Sequence, residues 1–240
     1  MRKIEIYAID HVRPRGIRPI FGGISKQFIC GYDDLHGVGI SSFETYADMR
    51  APYWIWKNRD DLDIIGFHGY RKFLDFQNLL RVPAWYEVGI GDFRVYQEWL
   101  AKYDGQYIQE LLAQHDIIVA PTFNCAYNLD MEIDFRRSRS SHDWDVFMDL
   151  LPPNVRPYVA RPYIRPMHFV TRASVFNRFM EWWWPLAEAI RVGIESKDAT
   201  DPAYLHRPMA YLSERMYSLW LDSSGLSMVE VPLLQCWDVK

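Results

Sequence analysis

The chain has 240 residues, enough for one large α/β domain or two small ones. Its formal net charge of −4 argues against a general attraction to nucleic acid, so we expect no nucleic-acid partner. The three cysteines are far apart in sequence without CxxC spacing, which disfavours a zinc knuckle and favours reduced thiols in a cytoplasmic protein. We expect neither a signal peptide nor a transmembrane segment, because no sufficiently long apolar run is present.

Strands and helices alternate along the chain. Short apolar or alternating runs predict strands over residues 3–9, 28–31, 62–67, 117–121, 167–171 and 229–231. Apolar residues at helical spacing predict helices over residues 45–57, 92–103, 106–114, 143–151, 173–195 and 209–221. We expect Pro52 to start a second helix within the first of these segments, and Pro185 to kink the long one. The pattern favours a single α/β domain over residues 1–240, with a helical C-terminal third.

Residues 53–73 carry the strongest functional pattern. An aromatic cluster leads into an apolar strand, and the strand is followed by His68, Gly69, Tyr70, Arg71 and Lys72. Ligands of α/β proteins bind in the crevice beyond the carboxyl ends of the strands. Two cations at that place suit a phosphate-bearing substrate, so the pattern predicts the floor of an active site. An ordinary solvated strand end is the alternative interpretation.

The same stretch resembles a known family. The run YWIWKN at residues 53–58, with IGF at 65–67 and YRKF at 70–73, resembles the motif YWxWKN…xIGxxHYRRYF of the domain of unknown function 4422 family. These are glycosyltransferase-like proteins of bacterial capsule and surface-polysaccharide loci. Further short matches follow in the same order at residues 40–41, 118–121, 167–170, 179–186 and 213–215.

The resemblance implies a fold similar to the GT-A fold of nucleotide-diphospho-sugar transferases. We therefore expect a central, mostly parallel sheet flanked by helices. The chain departs from the family pattern at Gly69, where the family has histidine, while its own His68 lies one place earlier. Lys72 replaces the second arginine, Met167 replaces an asparagine, and Asp48 stands for a glutamate. These departures bear on the substrate and on activity itself.

The resemblance implies a hexosyltransferase that moves a sugar from a nucleotide-diphosphate donor to a glycan or lipid-linked acceptor. The pathway would be capsular polysaccharide or lipopolysaccharide biosynthesis, in the cytoplasm, with peripheral contact at the inner face of the membrane left open. One alternative is a non-catalytic nucleotide- or glycan-binding module with the same fold. Another is a metal-dependent phosphoesterase that uses His68, His142 and Asp143, although their scatter in the sequence argues against it.

The candidate donor-binding residues fall into three pairs. Asp10 and His11 end the first strand, where they would hold ribose or base, or else cap a turn. A second pair, Lys57 and Asn58, would stabilise a helix C-terminus or, alternatively, contact the substrate. The diphosphate would be neutralised by the third pair, Arg71 and Lys72.

Enzymes with the GT-A fold usually bind a divalent metal through an Asp-x-Asp element. Asp61-Leu62-Asp63 has that pattern but precedes its strand, which favours a solvated turn. A Mn²⁺ or Mg²⁺ ion with His68 as a ligand is therefore one option, and a metal-independent, cationic site is slightly preferred.

The catalytic candidates are His68, His168 and Asp143. Further candidates for the base are His142, Asp145 and Glu214, and for Glu214 a buried ion pair with Arg215 is the simpler interpretation.

Overall fold

The computed structural model describes residues 2–10, 24–69, 72–77, 81, 87–90, 105–125, 129–195 and 198–236, and for 87–90 and 236 only the backbone. The predicted helix over residues 92–103 and the candidates His11 and Arg71 lie outside these residues. The described strands are β1 (Ile4–Asp10), β2 (Ser25–Ile29), β3 (Ile64–Gly69), β4 (Lys72–Leu74), β5 (Glu87–Ile90), β6 (Ile117–Val119), β7 (Phe123–Asn124), β8 (Tyr163–Ile164), β9 (Phe169–Arg172), β10 (Met228–Glu230) and β11 (Leu233–Cys236).

The described helices alternate with these strands. They are α1 (Arg50–Asn58), α2 (Gly105–Gln114), α3 (Met131–Arg136), α4 (Ser141–Leu150), α5 (Ala173–Gly193), α6 (Pro202–His206) and α7 (Pro208–Ser223). As predicted, a new helix begins close to Pro52, which lies in the first turn of α1, where a missing N–H costs no helical hydrogen bond. Helix α5 runs across Pro185 without interruption. Among the described helices, none has the length and apolar character that crossing a bilayer requires.

Nine of the described strands form one sheet around β1 and β3. Strand β1 pairs in parallel with β2 on one side and β3 on the other, and Ile9 lies opposite Gly69. Strand β3 also pairs antiparallel with β9 and, at its end, with β4. The sheet is therefore mixed rather than mostly parallel. The parallel β1–β3 pair brings the ends of both strands to one edge.

Both faces of the sheet are covered. Because side chains alternate along each strand, apolar residues are available to pack on either face. On one face Ile4, Ile6, Ile64, Ile118 and Val170 pack against α2. The opposite face carries a larger core built from α1, α4, α5 and α7. Trp144 and Trp183 are fully buried in that larger core. Much of the aromatic content near the C-terminal helices therefore serves packing.

Candidate functional site

A cleft opens at the edge where β1 and β3 end. Its empty volume is about 700 Å³, and part of this space is open solvent. Ile9 of β1, His68 and Gly69 of β3, and His168 just before β9 line its floor. The turn that precedes α1 forms one wall, and α7 forms the other. The cleft is thus where the sequence placed the active-site floor.

One face of α7 is turned to the cleft. Arg207, Ala210, Tyr211 and Glu214 line it at a spacing of three, four and seven residues, which places them on one side of a helix. The Tyr211 ring lies near two guanidinium groups, with Arg139 at 4.5 Å and Arg207 at 5.6 Å from its centroid. Polar side chains on one face of an otherwise buried helix are a pattern that could have been recognised in the sequence.

The opposite wall contains a strained residue. Ala47 has φ 43° and ψ −115°, a conformation that residues other than glycine rarely adopt. Its carbonyl oxygen accepts a hydrogen bond from Nε of Arg50 at 3.2 Å. The kink lies directly before Asp48, which is exposed to the cleft. Strain of this kind costs about 1–3 kcal/mol and clusters at functional sites.

Replacing Ala47 with glycine is expected to raise the free energy of unfolding by about 1 kcal/mol, because glycine adopts this conformation without strain. A urea titration of both proteins measures the difference. Ala51→Gly is the matched control, since Ala51 lies inside α1, where glycine costs about 1 kcal/mol. Equal destabilisation by both changes would show that Ala47 is not strained.

The two histidines at the floor have distinct surroundings. His68 is buried and packs against the rings of Phe73 and Phe76. Burial lowers its pKa well below the usual value, with a further contribution from His168. Nδ1 of His168 accepts a hydrogen bond from the backbone N–H of Gly69 at 3.2 Å. Burial, followed by the charge of Lys72, lowers the pKa of His168 to about 3.

His168 is therefore a neutral ring that carries its proton on Nε2. Its accepting nitrogen is already engaged, so the ring offers a hydrogen-bond donor to the cleft rather than a base. We therefore no longer expect His168 to accept a proton in catalysis.

The close approach of His168 requires glycine at position 69. A Cβ atom there would lie 3.2 Å from Cε1 of His168, a tight contact. We expect Gly69→Ala to displace the imidazole and to cost about 1 kcal/mol of stability. In a His168→Ala background the cost should vanish, and denaturant titrations of all four proteins measure this coupling. An unchanged cost would locate the strain elsewhere.

Glu214 and Arg215 do not form the ion pair predicted from the sequence. Arg215 is buried, and its Nη2 donates to Asp134 at 2.9 Å. Glu214 instead faces the cleft. The pKa of Glu214 is raised, first by burial and then by Asp48, against the lowering effect of Arg215, Lys72 and Arg139. The positive charge of Lys72 therefore acts on Glu214, a carboxylate that lines the cleft.

The remaining candidates fall outside the cleft lining. Asp143 is fully buried in α4, where its carboxylate accepts from Tyr204 Oη at 2.7 Å and from the N–H of Glu195 at 2.9 Å. We therefore remove it from the catalytic set, because these bonds give it a structural role. Asp10 ends β1 beside Ile9 and is nearly buried.

Lys57 and Asn58 have local partners at the end of α1. The amide nitrogen of Asn58 donates to the carbonyls of Val38 and Trp54, and its oxygen accepts from the N–H of Val38. Lys57 is exposed, with Nζ 3.4 Å from the centroid of the Trp56 ring. These contacts favour the structural interpretation of both residues.

A metal site centred on His68 does not fit the donor set. Within the described part of the chain, no group of three or more His, Cys, Asp or Glu side chains is arranged to hold a metal ion. Asp61 pairs with Lys3 and Arg59, and Asp63 accepts from the N–H of Lys3, so this Asp-x-Asp sequence forms a surface network. Its predicted position in a polar turn is consistent with these contacts.

Comparison with known proteins decides the family. A sequence model of the family described as Domain of unknown function (DUF4422) matches residues 11–225. The chain belongs to this family. A search of curated proteins finds no match.

Among solved structures, the WbbM bifunctional glycosyltransferase in its apo form matches with a TM-score of 0.83 and 18% sequence identity. The match covers 99% of this chain and 46% of the other, so this member of the DUF4422 family spans about half of that protein. The α/β fold, with a central sheet flanked by helices, is therefore that of a glycosyltransferase structure, as the resemblance predicted.

Proposed function

We propose that the chain is a hexosyltransferase that uses a nucleotide-diphosphate sugar and acts in surface-polysaccharide assembly, capsular or lipopolysaccharide. The acceptor would be a glycan or a lipid-linked saccharide, and the reaction would take place in the cytoplasm, at the inner face of the membrane when the acceptor is lipid-linked. The single observation that supports this best is the cleft at the ends of β1 and β3, in a fold shared with a glycosyltransferase.

Two residues beside the cleft lining would bind the parts of such a donor. Asp10 stands at the end of β1, where a carboxylate can accept hydrogen bonds from a ribose or a base. Lys72 begins β4, where it pairs with Gly69 of β3, and its charge would suit a diphosphate. Arg71 lies outside the described residues, and we keep for it the diphosphate role predicted from its charge and its place after the strand.

The sugar would then lie between the floor and α7. Nε2–H of His168 would donate a hydrogen bond to it, and the Tyr211 ring would limit its position. We propose that cationic side chains stabilise the leaving diphosphate, because charge-assisted hydrogen bonds are roughly twice as strong as neutral ones. A Mn²⁺ or Mg²⁺ ion held by the substrate phosphates is the alternative.

Titration calorimetry with uridine, guanosine, cytidine and thymidine diphosphate sugars tests this proposal. We expect one nucleotide to give heat and to raise the melting temperature, with little change when EDTA replaces Mn²⁺. The absence of both heat and thermal shift across the whole panel would refute a nucleotide-sugar enzyme. A labelled donor that binds but is never turned over would favour the non-catalytic module.

A further inference from the structure

Two carboxylates face the cleft from opposite walls. Asp48 lies on the strained turn before α1, and Glu214 lies on the face of α7 that lines the cleft. A hydrogen bond connects the two walls. The backbone N–H of Met209, in α7, donates to Oγ1 of Thr45, in the turn before α1, at 3.3 Å. This bond joins the wall that carries Asp48 to the wall that carries Glu214.

The other titratable groups described at the cleft are poorly suited to accept a proton. His168 already uses Nδ1 to accept from Gly69. His68 is buried between two phenylalanine rings. Tyr46 donates its hydroxyl to Glu188, and burial raises its pKa beyond the usual range. Of the two carboxylates that line the cleft, Glu214 is the more shielded from solvent.

The charges around Glu214 come from several elements. Its helix neighbour Arg215 is held by Asp134 in the interior. Asp48 lines the opposite wall, Lys72 belongs to β4, and Arg139 stacks on Tyr211. The raised pKa of Glu214 is the balance in which burial and Asp48 outweigh three cations. A base works best when its pKa approaches the operating pH.

We propose that Glu214 is the catalytic base of the transfer and that Asp48 is a positioning residue that tunes it across the cleft. This inference rests on the proposed function. An oxygen of Glu214 takes the proton of the acceptor hydroxyl, and the acceptor oxygen forms a bond to the anomeric carbon. The bond from that carbon to the diphosphate oxygen breaks, and its electron pair leaves with the nucleoside diphosphate.

The test uses the nucleotide sugar that binds best in the calorimetric panel, with water and free monosaccharides as acceptors. We expect Glu214→Gln to lower kcat by roughly 100-fold or more while the Kd for the nucleoside diphosphate changes by less than about threefold. Glu214→Asp should recover part of the rate. Glu181→Gln is the matched control, because Glu181 is exposed on α5 and should behave like the wild type.

The pH profile tests the role of Asp48. The rate requires ionised Glu214, so it falls as the pH drops through the pKa of that group. Asp48 raises this pKa, so Asp48→Asn should move the acidic limb of the profile to lower pH. Carbon-13 NMR titration of labelled glutamate in the same two proteins measures the Glu214 pKa without substrate.

The possible results distinguish a failure of the proposed function from a failure of the Glu214 assignment. If no nucleotide sugar binds the wild type, the proposed function itself fails. If the wild type turns over its donor and Glu214→Gln keeps its rate within about threefold, the base assignment is overturned while the function stands. A folded Glu214→Gln that loses binding and rate together would make the residue a donor ligand instead. An unshifted Glu214 pKa in Asp48→Asn would remove Asp48 from the mechanism, and binding without any turnover would overturn both roles.

Discussion

Replacing Asp134 with alanine is expected to lower the free energy of unfolding by about 3–5 kcal/mol. Asp134 holds the guanidinium of Arg215, which is only 1% exposed and also donates to the carbonyl of Tyr211 at 3.0 Å. Removal of the carboxylate leaves a buried positive charge without its counter-ion. Urea unfolding followed by tryptophan fluorescence measures the loss.

Asp130→Ala is the matched control for this variant. Asp130 begins the same helix, α3, and its carboxylate accepts from the N–H of Ile133 at 2.8 Å. Loss of such a cap costs about 1 kcal/mol. An Asp134→Ala variant that loses no more than this control would show that the Arg215 charge is compensated in another way.

Lys72→Ala is expected to weaken binding of the nucleoside diphosphate by roughly tenfold or more, because a hydrogen bond to a charged group is worth about 1.5–3 kcal/mol. Lys72 does not itself line the cleft, but its charge lowers the pKa of two residues that do, His168 and Glu214. Calorimetry at constant ionic strength measures the change.

Lys57→Ala provides the comparison for Lys72, since it removes the same charge from the end of α1. Lys57 lies over the Trp56 ring and, unlike Lys72, is not among the charges that shift the pKa of His168 or Glu214, so we expect an unchanged affinity. If the two variants weaken binding equally, the effect is one of overall charge, and the diphosphate does not lie beside Lys72.

Most strands and helices could be predicted from the sequence, because they follow from the local pattern of apolar and polar residues. The predicted strand over residues 62–67 is β3, displaced to Ile64–Gly69, and the helix over 173–195 is α5. The mixed character of the sheet was missed. Strand direction depends on the paths between strands, and the run that becomes β9 has the same composition whichever way it pairs.

The candidate site was predicted only in part. The sequence predicted its floor at His68 and Gly69, because an apolar strand that ends at a glycine can be recognised from neighbouring residues alone. The sequence could not show that Asp48 and Glu214 line the same cleft, since the cleft exists only after α7 docks against the turn before α1. It also paired Glu214 with Arg215, although adjacent helical residues point in different directions. One therefore faces the cleft and the other the interior.

The most direct test of the nucleotide-sugar account is a crystal structure with the nucleoside diphosphate that calorimetry selects, grown with and without manganese. We predict that the nucleoside lies beside Asp10 and that the diphosphate is within hydrogen-bond distance of Lys72 Nζ, with its outer phosphate directed toward His168 and Glu214. A nucleotide bound on another surface, with the cleft between β3 and α7 empty, would contradict the account.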